Sequence, residues 1–178
     1  GRSGAGKSTI FKLLLGLYKP QEGEILVQGI PAEQLSEKEK RKWFGCVEQS
    51  YHMVPGSVKD QITLYDEAIS DEQVKAAAVL TGLDEVIESL ENGYDTACTN
   101  ELFSQGQWQL MAIARAAVAE PKILLLDEIT ANLDIDTEHQ VMQALNRVSE
   151  RRTVIAISHR VSAEMGRIIN ISKSHWSR

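Results

Sequence analysis

The chain has 178 residues, 43% hydrophobic and 25% charged, with a net charge of −6. That length suits one α/β core carrying a smaller subdomain, while no apolar run approaches the roughly 18 residues of a membrane helix and no secretory leader opens the sequence, so neither a spanning nor a secreted chain is expected. Net acidity with scattered Lys and Arg argues against a broad nucleic-acid footprint, and Cys46 and Cys98, far apart and without C-x-x-C spacing or a nearby His, point to neither a disulfide nor a metal site.

The first residues, "GRSGAGKSTI", fit G-x-x-x-x-G-K-[ST] with Gly1, Gly4, Gly6, Lys7, Ser8 and Thr9 in place. In such a loop successive backbone N–H groups wrap phosphates, and glycines permit the dihedrals and the close approach. Gly1, Ser3, Gly4, Ala5, Gly6, Lys7, Ser8 and Thr9 are therefore the candidate nucleotide-binding set, with Lys7 as a point charge for the β- and γ-phosphates and the Ser8 hydroxyl as a ligand for Mg²⁺. Ile10, Leu13, Leu14 and Leu17 follow at helical spacing, and the helix ends near Gly16 to Pro20. "EILVQG" reads as a short strand closed by a turn. Ser36 and Glu39 form a capping box ahead of a charged helix. The apolar "WFGCVEQ" strand comes next, with Gln49 where it ends.

From Ser50 to about Ala119 the pattern changes to helical pieces separated by Gly56, Gly82, Gly93 and Gly106, with a second capping box at Ser70 and Gln73. This reads as an inserted helical subdomain. Its last piece, "LFSQGQWQLMAIARAAVAEP", is a polar loop opening a long helix, capped by Ser104 and striped by Leu110, Ile113, Ala114, Ala117 and Val118. A Ser and a Gly at a helix N-terminus also make an anion site. One nucleotide needs one phosphate cradle, so a second cradle suggests a partner's nucleotide. After Pro121, "KILLLDE" is a strand whose carboxyl end delivers Asp127 to a metal beside the phosphates, with Glu128 placed to orient or deprotonate a water. A helix around Thr137 to Ser149 leads to the strand "TVIAISH", which sets His159 at the same sheet edge. Both strands are apolar throughout, as expected when helices cover both faces of a parallel sheet.

Order and spacing together resemble the nucleotide-binding domain of an ATP-binding cassette (ABC) transporter, most like the exporter branch. Walker A is "GRSGAGKST", the Q-loop residue is Gln49, the signature is "FSQGQ", Walker B is "ILLLDE", the D-loop is "ANLD" with Asp134, and the switch histidine is His159. The signature departs from the usual L-S-G-G-Q at Phe103 and Gln105, and Trp108 stands where the family often has Arg. The resemblance implies an α/β P-loop NTPase fold, a mostly parallel sheet flanked by helices with an inserted helical subdomain. Residues 1–49 and 120–178 would be the RecA-like core, lacking its first strand, and 50–119 the helical signature subdomain.

The resemblance further implies ATP and Mg²⁺ as cofactors, with Ser8, Gln49 and Asp127 at the metal. Glu128, His159 and Gln49 would serve catalysis, while Ser104, Gly106, Gln107 and Asp134 would serve the nucleotide shared with a second domain in a head-to-tail homo- or heterodimer. Transmembrane domains, expected on the same polypeptide, would hold the chain at the cytoplasmic face of the cell membrane, and the chain is expected to be a piece of that longer polypeptide. Three rivals are a soluble ABC ATPase acting on nucleic acid or ribosomes, a P-loop kinase, and a fragment that is inactive by itself. The segment "SYHMVPGSVKDQITL" resembles the exporter stretch that meets transmembrane coupling helices, which favours transport and no nucleic acid.

Overall fold

A computed structural model describes residues 7–48, 50–129 and 133–157, with Lys7 by its backbone alone. The chain divides into two units, Gly1–Lys40 with Ile157–Arg178, and Arg41–Ala156.

In the first unit, α1 spans Lys7–Leu14. It closes with the paired bonds of a Schellman end, Gly16 N–H to Leu13 O at 3.0 Å and Leu17 N–H to Lys12 O at 2.8 Å. The expected apolar stripe is met in part: Leu13 and Leu14 are half-buried and Ile10 and Leu17 are exposed, while Phe11, outside that stripe, is buried. Leu17 lies past the helix end, so helical periodicity no longer sets its direction. The "EILVQG" stretch is one arm of a hairpin, with β1 (Leu26–Val27) antiparallel to β2 (Ile30–Pro31). Gln28 and Gly29 between them both have positive φ, 52° and 82°, the twist that a two-residue hairpin turn requires. The Ser36 box forms as expected: Ser36 N–H donates to Glu39 Oε2 at 2.8 Å and Glu39 N–H to Ser36 Oγ at 3.3 Å, opening α2 (Glu37–Trp43).

In the second unit, β3 (Phe44–Val47) runs parallel to β4 (Ile123–Asp127), in register from Phe44↔Ile123 to Val47↔Leu126. On the other side of β4 lies β5 (Thr153–Ile157). Phe44, Val47, Leu124, Leu125 and Leu126 are all buried, so β3 and β4 have both faces covered, as their unbroken apolar runs require. The same expectation fails for β5. Thr153, Ile155 and Ala156 are exposed, Val154 packs against the core from a half-buried position, and the last residue, Ile157, is buried.

The described residues of this unit also form the helices α3 (Val58–Thr63), α4 (Asp71–Thr81), α5 (Asp84–Glu88), α6 (Gln105–Ala117) and α7 (Ile135–Ser149). The helix α6 touches α3, α4, α7 and β3. Its expected stripe of Leu110, Ile113, Ala114, Ala117 and Val118 is buried throughout and joins Ile62, Val74, Leu83, Ile87, Met111, Leu124, Val141 and Val148 in one core. Burying each large side chain there contributes about 1.5–3 kcal/mol, more than helix propensity supplies per residue. Gly45 lets α6 approach β3 closely, since a Cβ at that position would lie 2.2 Å from Ala116 O.

Three of these helices start with serine boxes. Ser70 pairs with Gln73, as the sequence implies; the expected cap Ser104 proves to pair reciprocally with Gln107, and Ser57 pairs with Asp60 at α3, a shorter partner than the usual Glu or Gln. Gly82 falls between α4 and α5 and Gly93 opens a 3₁₀ turn (Gly93–Asp95), but Gly56 lies between the strand β3 and α3, and Gly106 sits inside the first turn of α6 and breaks nothing. Among the described residues no helix is long and apolar enough to cross a membrane.

Candidate functional site

Three local arrangements carry the chemistry, and the first is the carboxyl end of β4. Asp127 is the last residue of the strand, and Glu128 follows with φ of 50°. A left-handed backbone at a residue with a Cβ costs roughly 1–2 kcal/mol. It also ends the strand's strict alternation of faces, so two consecutive carboxylates, both half-buried, stand at the edge where parallel sheets bind ligands.

The second is the N-terminus of α6. Ser104 is exposed and caps the helix: its Oγ accepts from Gln107 N–H at 3.2 Å, and its own N–H donates to Gln107 Oε1 at 2.8 Å. Gly106 is required here because a Cβ would lie 2.5 Å from Thr137 Cγ2. Thr137 belongs to the first turn of α7, whose N-cap is Asp134. Thr137 N–H donates to Asp134 Oδ1 at 2.9 Å and Thr137 Oγ1–H to Asp134 Oδ2 at 2.6 Å. The Thr137 hydroxyl, then the Thr137 backbone N–H, hold the Asp134 carboxyl below its ordinary value. Ser104, Gly106 and Gln107 thus gather with Asp134, distant from them in sequence, where two helix N-termini meet, with Ile135 exposed at 74%.

The third is the segment 50–54. Buried Gln61 holds it, with Oε1 accepting from Val54 N–H at 3.0 Å and from the Tyr51 hydroxyl at 3.1 Å, and Nε2 donating to Val54 O at 2.7 Å. Arg115 on α6 donates from Nε to Gln61 O at 2.6 Å and from Nη1 to His52 O at 3.0 Å, and its guanidinium lies 4.4 Å from the Tyr51 ring centroid. Burial pushes the Tyr51 hydroxyl up, against the opposing pull of Arg115, so it stays a protonated donor. Trp108 stacks on Tyr51 with ring centroids 4.7 Å apart, and Phe103 meets Trp108 edge-on at 5.1 Å. These rings, with Ser50, Met53, Asn100, Gln105 and Gln109, line a cleft of about 440 Å³.

Of the remaining residues singled out in the sequence, Lys7, Ser8 and Thr9 form the first turn of α1 in the first unit. Gly1, Ser3, Gly4, Ala5, Gly6, Gln49 and His159 lie outside the described residues. Sequence reasoning missed Tyr51, Gln61 and Arg115. The unusual Trp108 was visible, but nothing local to it identified its stacking partner. Among the described residues no three His, Cys, Asp or Glu side chains gather as a metal cage.

The family model for the ABC transporter matches residues 1–131. The toxin RTX-III translocation ATP-binding protein of Actinobacillus pleuropneumoniae is 41% identical over 180 residues, covering 98% of this chain and 25% of that protein. The alpha-hemolysin translocation ATP-binding protein HlyB of Escherichia coli O157:H7 is 42% identical over 164 residues, 91% of this chain and 23% of that protein. A solved bacterial Atm1-family ABC exporter with ATP bound superposes with a TM-score of 0.75 at 37% identity, over 90% of this chain and 28% of that one. The chain spans about a quarter of the length of the curated relatives it matches. Motifs, family match and fold together place the chain in the ABC transporter family, as a nucleotide-binding domain of the exporter type with a P-loop α/β ATPase fold.

Proposed function

We propose that this domain binds ATP with Mg²⁺ and hydrolyses it to drive export of a substrate across a membrane, working head to tail with a second such domain. The observation that carries this reading is the Asp127–Glu128 pair, set by a left-handed turn at the carboxyl end of a buried parallel strand, in a chain that belongs to the exporter type. In this reading the glycine loop with Lys7 and Thr9 wraps the phosphates. The hydroxyl of Ser8, the carboxylate of Asp127 and the amide oxygen of Gln49 are hard oxygen donors, few in number, of the kind Mg²⁺ takes when substrate phosphates complete its shell. The bound ion would neutralise charge on the phosphate oxygens. Glu128 orients or deprotonates the attacking water, and His159 contacts the γ-phosphate.

The exposed meeting point of α6 and α7 supports the partner's role: Ser104, Gly106 and Gln107 serve the neighbour's nucleotide, and Asp134 joins the two sites across the interface. Residues 1–49 and 120–178 act as the RecA-like core and 50–119 as the signature subdomain. Transmembrane domains on the same polypeptide hold the assembly at the cytoplasmic face of the membrane. Two relatives named for toxin translocation support transport over an action on nucleic acid or ribosomes.

The test is Glu128→Gln in the intact polypeptide. Loss of a general base lowers turnover by about 10²–10⁴, while ATP binding persists and nucleotide is retained. Hydrolysis at the wild-type rate by this variant would show that Glu128 is not the base.

A further inference from the structure

Phe103 directly precedes Ser104 and Trp108 directly follows Gln107, so two aromatic rings bracket the capping box that shapes the signature turn. The rings meet each other edge-on, 5.1 Å apart at 84°. Phe103 is buried, and Trp108 Nε1–H donates to Asn100 O at 3.3 Å, so neither ring has a second place to go without losing a contact. The far face of the stack is Tyr51, two residues past Gln49. Tyr51 is itself pinned by the Gln61 side chain, by the stacked Trp108 ring and by the Arg115 guanidinium over its own ring. The three rings therefore form one connected body from the post-Gln49 segment to both ends of the Ser104–Gln107 box.

We propose that Trp108 is a positioning residue: through the Tyr51–Trp108–Phe103 stack it couples the segment after Gln49 to the signature turn, so that displacement of the one reorients Ser104 in the other. The proposal rests on the ATPase reading above. An Arg at this position would also carry a flat group, but not a ring that fills the space between Tyr51 and Phe103. In that reading the signature turn serves the second domain's nucleotide while the P-loop holds this domain's own, so the stack acts on turnover and leaves ATP affinity alone.

The test compares Trp108→Ala, Trp108→Phe, Tyr51→Leu and the Trp108→Ala/Tyr51→Leu double variant in the intact polypeptide. Aromatic contacts of this kind shift an equilibrium by roughly two- to tenfold each, and Trp108 makes two, so Trp108→Ala is expected to lower kcat about tenfold. KM for ATP stays within about twofold, because the lost contacts act after nucleotide binding. Trp108→Phe, which keeps a ring in the stack, recovers most of the rate. The double variant loses no more than the worse single one, since both break one connected body. A Trp108→Ala rate equal to wild type, losses that multiply in the double variant, or a failure of Trp108→Phe to recover overturns the proposal. Backbone hydrogen exchange over residues 104–109 gives a readout free of hydrolysis: about tenfold faster exchange in Trp108→Ala supports the stack, and unchanged exchange overturns it. If wild type and Glu128→Gln alike fail to hydrolyse ATP, the ATPase reading falls, and the exchange measurement still judges the stack.

Discussion

A missing methyl group sets how closely the N-termini of α6 and α7 approach. At Gly106 an added Cβ would meet Thr137 Cγ2 at 2.5 Å, and Thr137 cannot swing its methyl away cheaply because its hydroxyl is held by Asp134 Oδ2 at 2.6 Å. Replacing a helical Gly by Ala ordinarily gains up to about 1 kcal/mol, but overpacking costs about 1–3 kcal/mol. The clash wins. Gly106→Ala is expected to lower the urea midpoint, and adding Thr137→Ser, which removes the methyl and keeps the hydroxyl, should restore it. A Gly106→Ala protein at least as stable as wild type would mean that the two helices are not in tight contact. The glycine was legible in the sequence as a member of the signature motif, but its packing partner was not, because Thr137 lies on another helix. Glu128 is similar: its place after "ILLLD" was readable, while its left-handed backbone was not, since only glycine and asparagine advertise that conformation locally.

Helix starts were the most readable elements, because a cap is a short-range device. The boxes at Ser36 and Ser70 and the cap at Ser104 were identifiable from a few residues each, whereas the box at Ser57 uses Asp60, a shorter partner than Glu or Gln. Asp134 is the instructive case: its family motif suggested an interface residue, and the structure shows it also capping α7. That cap predicts a pH dependence. The Asp134 carboxyl is held below its ordinary value of 3.8, so it contributes stability that is present above the unfolded value and lost as pH falls through the folded one. Between about pH 6 and about pH 3, wild type should therefore lose more stability than Asp134→Asn, which keeps a capping oxygen without the charge. Denaturant midpoints measured across that range check it. Parallel profiles for the two proteins would remove the charge from the account.

At the scale of the molecule, the second unit is organised around α6 and β4, whose side chains supply much of its fully buried core. Stability within a fold is uneven, and the last amides to exchange belong to the most enclosed elements. Amides of α6 and β4 should accordingly outlast those of α5 and of the exposed strand β5 in native-state hydrogen exchange. Met111→Ala, at a fully buried position on α6, should destabilise by about 2–5 kcal/mol in urea unfolding. Exchange of α6 as fast as that of β5 would contradict this ranking. The sequence by itself determined the α/β class, most of the helix starts, the buried stripe of α6 and the family its motifs point to, because each rests on chemistry within a few residues or on a hydrophobic period. Only the tertiary structure decided that Gly106 abuts Thr137, that Asp134 joins the signature turn, that Tyr51 stacks on Trp108 and that β5 stays exposed. Those outcomes depend on which surfaces meet when distant segments pack, and no local pattern of side chains encodes the identity of a neighbour across the core.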